Sequence, residues 1–231
     1  MSIAFVDIET TGLDPAKHAV WEVSILTDDD HQAHGNGVPW TIHIPLTDEQ
    51  VAAADPVALK INGFEARYLK DIGSGVDPHL VAVMNDPAGA ICRMLADKTV
   101  IGSNPTFDTR FLSVMFEKAG LVTEPWLYRS VDVATLAAGV LMGRGEQVPV
   151  PFSSGDLGEA LGVTRTGAHT AEGDVLWAKA IWDACHEDRP GAAATVLAET
   201  VAEMAAGLAD DGMTLDEFAL LMSGMEPQRA N

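Results

Sequence analysis

Phe5 to Pro15, FVDIETTGLDP, opens as a buried strand and turns acidic where its apolar run should continue. Residues two apart on a strand share a face, so Ile3, Phe5, Asp7 and Glu9 point the same way. The two acids extend the face that Ile3 and Phe5 bury. Two rises separate their backbones by roughly 6.6 Å, close enough for both carboxylates to reach one cation group. A turn beginning at Glu9 would instead lift that residue away and leave only Asp7 misplaced.

Around this stretch, residues Ser2 to Asp7, Val20 to Leu26 and Val38 to Ile44 read as three successive strands separated by Gly, Asp and Asn clusters, an antiparallel start. Helical patterns follow at Asp48 to Ala54, Gly63 to Lys70 and His79 to Ala96. A short strand, Thr99 to Gly102, leads into a helix from Pro105 to Ala119. A further strand, Leu127 to Val131, leads into a helix from Asp132 to Met142. Strands alternating with helices add parallel neighbours, so the fold class is α/β with a mixed sheet. A short helix near Asp156 to Leu161 and a long one from Ala171 to His186 complete this part. Arg189-Pro190-Gly191 marks a boundary between a domain of residues 1–189 and a C-terminal helical extension, 190–231. In that extension Thr214 and Glu217 form a capping box for a last helix.

With 231 residues and 47% hydrophobic content the chain can bury a sizeable core. No stretch approaches the roughly 20 apolar residues of a membrane span, and the first residues lack the basic-then-apolar layout of a secretory signal, so a cytoplasmic location is expected. Cys92 and Cys185 fall within apolar helical patterns and read as reduced core residues. There are 34 acidic and 14 basic residues, a formal net charge of −20. That balance argues against tight, sequence-specific binding of long nucleic acid. It admits an enzyme that holds a few nucleotides and uses cations to offset its own acid.

Two more acids stand on apolar stripes. In GSNPTFDTRFL, Asn104 suits an N-cap and Pro105 the first helical position, which leaves Asp108 too deep to cap. Its helical neighbours are Phe111, Leu112, Met115 and Ala119. In HTAEGDVLWAKAIW, Asp174 likewise shares a stripe with Trp177, Ala178, Ile181 and Cys185. An unpaired buried carboxylate costs several kcal/mol or takes up a proton. Three segments with one fault suggest one remedy, a divalent cation held by oxygen ligands, for which hard carboxylates select Mg²⁺ or Mn²⁺. His169 lies about 140° around a helix from Asp174 and reaches the same site only from the loop before it, a placement favoured by Gly167 and by Thr170 as cap.

DIETTGLDP, NPTFDTRFL and HTAEGD, in this order, resemble the three motifs of the DnaQ-like, DEDDh-type 3′–5′ exonucleases over residues 2 to 187. A tyrosine variant of the third motif would need Tyr where Thr170 stands. The resemblance implies an RNase H-like five-stranded sheet, an antiparallel meander plus parallel strands, flanked by helices. It implies two Mg²⁺ or Mn²⁺ ions held by Asp7, Glu9, Asp108 and Asp174, with His169 as general base for hydrolysis of a DNA 3′ end to nucleoside monophosphates. It also nominates Thr10, Thr11, Gly12 and Leu13 as the clasp on the terminal nucleotide and Phe107 as a base contact, although plain core packing accounts for Leu13 and Phe107 equally simply. Asn62 stands in ALKINGF where proofreading members carry a histidine, and is the remaining substrate-contact candidate. Asp132 matches a family aspartate that capping of the next helix explains. Exoribonuclease activity, and a proofreading subunit that docks on a polymerase through residues 190–231, are the alternatives. Packing of that tail on its own domain or on a second copy is the simpler role for it.

Overall fold

The computed structural model describes residues 2–28, 37–68 and 85–187. Five strands form one mixed sheet: β1 (Ile3–Thr10), β2 (Val20–Thr27), β3 (Trp40–His43), β4 (Thr99–Gly102) and β5 (Val131–Asp132), in the order β3-β2-β1-β4-β5. β1 pairs antiparallel with β2 and parallel with β4, β2 antiparallel with β3, and β4 parallel with β5. The expected mixed sheet of a meander plus parallel strands is therefore present. Every residue of β2 is buried, as befits a strand flanked on both edges and covered on both faces.

Eight helices are described: α1 (Asp48–Ala52), α2 (Pro56–Ile61), α3 (Phe64–Arg67), α4 (Pro87–Leu95), α5 (Pro105–Lys118), α6 (Val133–Gly143), α7 (Ser154–Ala160) and α8 (Ala171–His186). Alternation along β1 decides which layer each residue joins. Ala4, Val6 and Ile8 form one core with Ile91 and Leu95 of α4 and Phe111, Leu112 and Phe116 of α5. Each large side chain removed from water there contributes about 1.5–3 kcal/mol. Phe5, on the opposite face, meets Trp182 of α8 edge-on at 6.1 Å. The acids of β1 share Phe5's face and so look toward α8. Among the described residues no helix is long and apolar enough to cross a membrane.

Four readings needed correction. The strand expected at Leu127 to Val131 begins only at Val131, because the edge of the four-residue β4 offers partners to Val131 and Asp132 alone. Leu127 is tied to β4's approach by one bond, its N–H donating to the Lys98 carbonyl at 2.9 Å. Helix α2 was not expected, although Asp55 caps it through the Val57 N–H and Pro56 occupies its first position. The helix at Gly63 is a single turn, Phe64–Arg67. Asn104 occupies the cap position of α5 in a left-handed conformation, φ 57°, and makes no side-chain cap bond. Its N–H instead donates to Asp132 Oδ1 at 3.1 Å, and Asp132 also accepts from Ala134 N and Thr135 Oγ1. The aspartate thus caps α6 and anchors the turn into α5 together.

The chain divides into two compact units, Met1–Gly139 with Pro149–Glu187, and Val140–Val148 with Asp188–Asn231. Of the second, residues 140–148 alone are described. The boundary at Arg189, the extension 190–231 and the part of the His79 to Ala96 helix before residue 85 lie outside the described residues.

Candidate active site

Asp7 and Glu9 enter the site because β1 stays extended to Thr10, so Glu9 is a strand residue and keeps Asp7's face. The β1–β2 register slips between Glu9, opposite Glu22, and Thr10, opposite Val20. Such a bulge bends a strand and re-aims its side chains. Here it falls between the second acid and the TTGLDP turn. From the other layer, α8 delivers Asp174, which is followed by buried Val175, Trp177, Ala178 and Ile181. One carboxylate oxygen each from Asp7, Glu9 and Asp174 lie within 4.8 Å of one another.

Asp108 stands in the first turn of α5, 3% exposed. β4 ends its pairing with β1 at Phe5, so the Ile8 N–H has no strand partner on that side. Asp108 Oδ1 accepts that N–H at 3.1 Å. The close approach that makes this possible needs Gly102, where a Cβ would meet the Val6 carbonyl oxygen at 2.8 Å.

Electrostatics give the cluster its character. Burial, then Asp108, Asp174 and Glu9, hold the Asp7 carboxyl well above the usual range; Arg165 opposes them. Asp108 is raised chiefly by burial, and its hydrogen bonds from backbone N–H groups only partly counter that. Burial first, with Glu22 adding to it, lifts Glu9 from 4.5 to about 7. Three carboxyls with raised ionisation, Asp7, Glu9 and Asp108, beside the Asp174 carboxylate form a donor set for a hard divalent cation. The residues present fit that group.

Sequence reasoning missed the counter-charge that the chain itself supplies. Arg165 donates from Nε and Nη2 to Asp174 Oδ1, at 3.0 and 2.7 Å, with its guanidinium 4.9 Å from the Trp177 ring centre. Nothing in the loop sequence signals this. Glu22 was legible: it is an acid inside the wholly buried run VWEVSILT, the same fault that exposed Asp7.

His169 arrives from the loop before α8, as expected, with its ring exposed. Its backbone is left-handed, φ 63°, and its N–H donates to Asp174 Oδ2 at 3.3 Å. Thr170 caps α8 by accepting from the Gly173 N–H at 3.0 Å. The loop closes so tightly that a Cβ on Gly173 would meet the Gly167 carbonyl oxygen at 2.2 Å. Gly173→Ala is therefore expected to lose about 1–3 kcal/mol of stability through backbone displacement. Gly139→Ala, with nothing within 4 Å of the new methyl, should gain up to about 1 kcal/mol from helix propensity. Paired melting curves check both, and equal shifts would contradict the loop geometry.

Among the nominated clasp residues, Thr10 and Thr11 are buried and spent on the turn itself. Thr10 Oγ1 donates to the Gly12 carbonyl at 2.7 Å, and Thr11 Oγ1 accepts from the Ala19 N–H at 2.9 Å. Gly12 is extended, φ 159°, with the His18 ring where a side chain would begin. Leu13 is 77% exposed, so core packing does not explain it. Phe107 is half-buried against the core, 4.9 Å from Phe111, so packing does account for most of it. Asn62 is 4% exposed and donates from Nδ2 to the Thr10 carbonyl at 3.0 Å. It steadies the strand end that carries Glu9.

No protein-family model and no curated protein sequence matches the chain. Solved structures do. A product-bound exonuclease I superposes with a TM-score of 0.56 at 19% identity, covering 79% of this chain and 42% of that one. Escherichia coli exonuclease I in complex with a dT13 oligonucleotide gives 0.56 at 20% identity over 80% of this chain and 40% of that one. The zinc-ion-bound form of the E. coli exonuclease I–single-stranded DNA complex gives 0.54 at 20% over 80% and 39%. The chain spans about 40% of the length of these structures. Together with the sheet order and the helices on both faces, the likeness shows that this chain adopts the RNase H-like fold.

Proposed function

We propose that the protein is a divalent-metal-dependent 3′–5′ exonuclease that releases nucleoside monophosphates from single-stranded or frayed DNA ends. The observation that carries this reading is the convergence of carboxylates from β1 and α8 at one end of the sheet, with the buried Asp108 of α5 bonded to the Ile8 N–H beside them. Solved neighbours of this fold include exonuclease I bound to dT13 and to dA16 oligonucleotides, and a zinc-ion-bound form of its complex with single-stranded DNA. That chemistry fits the donor set found here.

In this reading Asp7, Glu9 and Asp174 hold two Mg²⁺ or Mn²⁺ ions, and Asp108 supports the site from behind. When bound, the ions lower the pKa of an attacking water and neutralise charge on the phosphate and the leaving oxygen. His169, on its exposed loop, serves in this reading as the general base that accepts the proton of that water. In this reading Leu13, exposed on the turn that follows β1, packs against the terminal base. Phe107 offers the edge of the core as a second apolar wall. Such contacts are sequence-tolerant, worth about 1–3 kcal/mol per stacked base for an aromatic side chain. With a net charge of −20, grip is weak and salt-sensitive, which suits short ends.

Metal-replete protein is expected to shorten a 5′-labelled single-stranded DNA in one-nucleotide steps, and less readily the matched RNA and the blunt duplex. Denaturing gels of the three substrates side by side test this. Faster loss of the RNA would transfer the assignment to an exoribonuclease. Inertness toward all of them would leave partner binding through residues 190–231 as the better reading.

A further inference from the structure

Behind the acid cluster lies a buried ion pair that the proposed chemistry leaves without a role. Glu22 is 2% exposed and directly opposite Glu9 on the neighbouring strand. Two like charges facing across a ladder destabilise it unless one is otherwise engaged. Arg67, at the end of α3, engages Glu22 with Nη2 on both carboxylate oxygens. Burial raises the Glu22 carboxyl, but hydrogen bonds from His43 and Arg67 outweigh it and keep the group ionised.

The pair reaches three separate segments around the site. Nη1 of Arg67 donates to the Asn62 carbonyl at 2.8 Å and to the His169 carbonyl at 3.2 Å. Glu22 Oε2 accepts the Ala171 N–H at 3.3 Å, one of the otherwise unpaired amides at the start of α8. Its Oε1 lies 3.1 Å from His43 Nε2. The guanidinium lies 5.0 Å from the Trp21 ring centre, so it is stacked as well as bonded. His169 is held left-handed from two sides, its N–H on Asp174 and its carbonyl on Arg67. A non-glycine residue keeps that conformation only where its surroundings over-determine it.

We propose that Glu22 and Arg67 are a positioning pair that fixes the His169 loop, the start of α8 and the Asn62 turn relative to the acid cluster. A planar fork is needed, because Arg67 bonds Glu22 from Nη2 and Asn62 and His169 from Nη1, whereas a lysine has all its donors on one nitrogen and cannot occupy both positions. Neither residue belongs to the Asp7, Glu9 and Asp174 cluster. The pair's effect is exerted through where His169 stands.

This inference rests on the exonuclease reading for its kinetic arm only. Arg67→Lys is expected to lower kcat on single-stranded DNA by about 10- to 100-fold, with KM and the metal-induced rise in melting temperature little changed. Methylguanidinium in millimolar amounts should restore part of the rate to Arg67→Ala. Glu22→Gln, which keeps the shape and one acceptor, should follow Arg67→Lys to a smaller degree. Wild-type kcat in Arg67→Lys, or a metal response lost in step with activity, would overturn the proposal. An inert wild-type protein would sink the exonuclease reading instead. The pair would then be judged on the His169 imidazole NMR signal, assigned by His169→Gln. A shifted or broadened signal in Arg67→Lys supports the role, and an unchanged one ends it.

Discussion

Asp7→Asn should abolish cleavage and yet make the metal-free protein more stable. The first effect follows from removing a charged oxygen at the centre of the cluster, a loss on the order of 10³-fold or more in kcat. The second follows from the direction of its ionisation. Burial and three neighbouring acids raise the Asp7 carboxyl, so at neutral pH the folded state holds that charge at a disadvantage to the unfolded chain. An amide of the same shape removes the repulsion, and a gain of about 0.5–2 kcal/mol in chelator at pH 8 is expected. Denaturant titration with EDTA and with Mn²⁺ measures both sides, since the variant should also lose most of the metal-induced stabilisation. A variant destabilised in EDTA would mean that Asp7 is a structural acid.

Stability in chelator should fall as pH rises from about 4.5 through about 7, and metal should cancel the fall. Glu9 carries the sign: its folded value, about 7, exceeds the ordinary 4.5, so its protonated form favours folding. That contribution is complete below 4.5 and gone above about 7, up to about 3 kcal/mol by linkage. Asp7 and Asp108 act in the same direction. Glu22 acts oppositely, but its lowered value confines it to pH below 4.5. Cations bind the ionised acids, so the difference between melting temperatures with Mg²⁺ and with EDTA should be small near pH 5 and several degrees at pH 8. A difference independent of pH would place the metal elsewhere.

Much of this was legible in the residues. The acids on β1, α5 and α8 betrayed themselves by occupying positions that periodicity reserves for the core, and the structure puts Asp7, Glu9 and Asp174 together with Asp108 behind them. Thr170 caps α8 as its spacing implied. What escaped was decided by tertiary pairing. The strand at Leu127 shrank because a sheet edge of four residues, not the propensity of the segment, sets its length. Asn104 makes no side-chain cap bond because its backbone is left-handed, φ 57°, whereas an N-cap residue is normally extended, a conformation decided by the turn that Asp132, 28 positions on, anchors. Arg165 and Arg67 carry no local signal, since an arginine in a loop or on one turn of helix looks alike whether it meets solvent or a carboxylate. Glu22 is different, for the rule that found Asp7 applies to it unchanged.

The bond from Arg165 to Asp174 bears on the order of events in the life of the protein. A guanidinium already rests on the acid that α8 brings to the cluster, and it is fastened there by the ring of Trp177. This end of the sheet can therefore assemble from the chain's own charges without any added cation. On the exonuclease reading proposed above, metal uptake would then be a reversible step separate from folding, and protein deprived of divalent cations would stay folded but inactive.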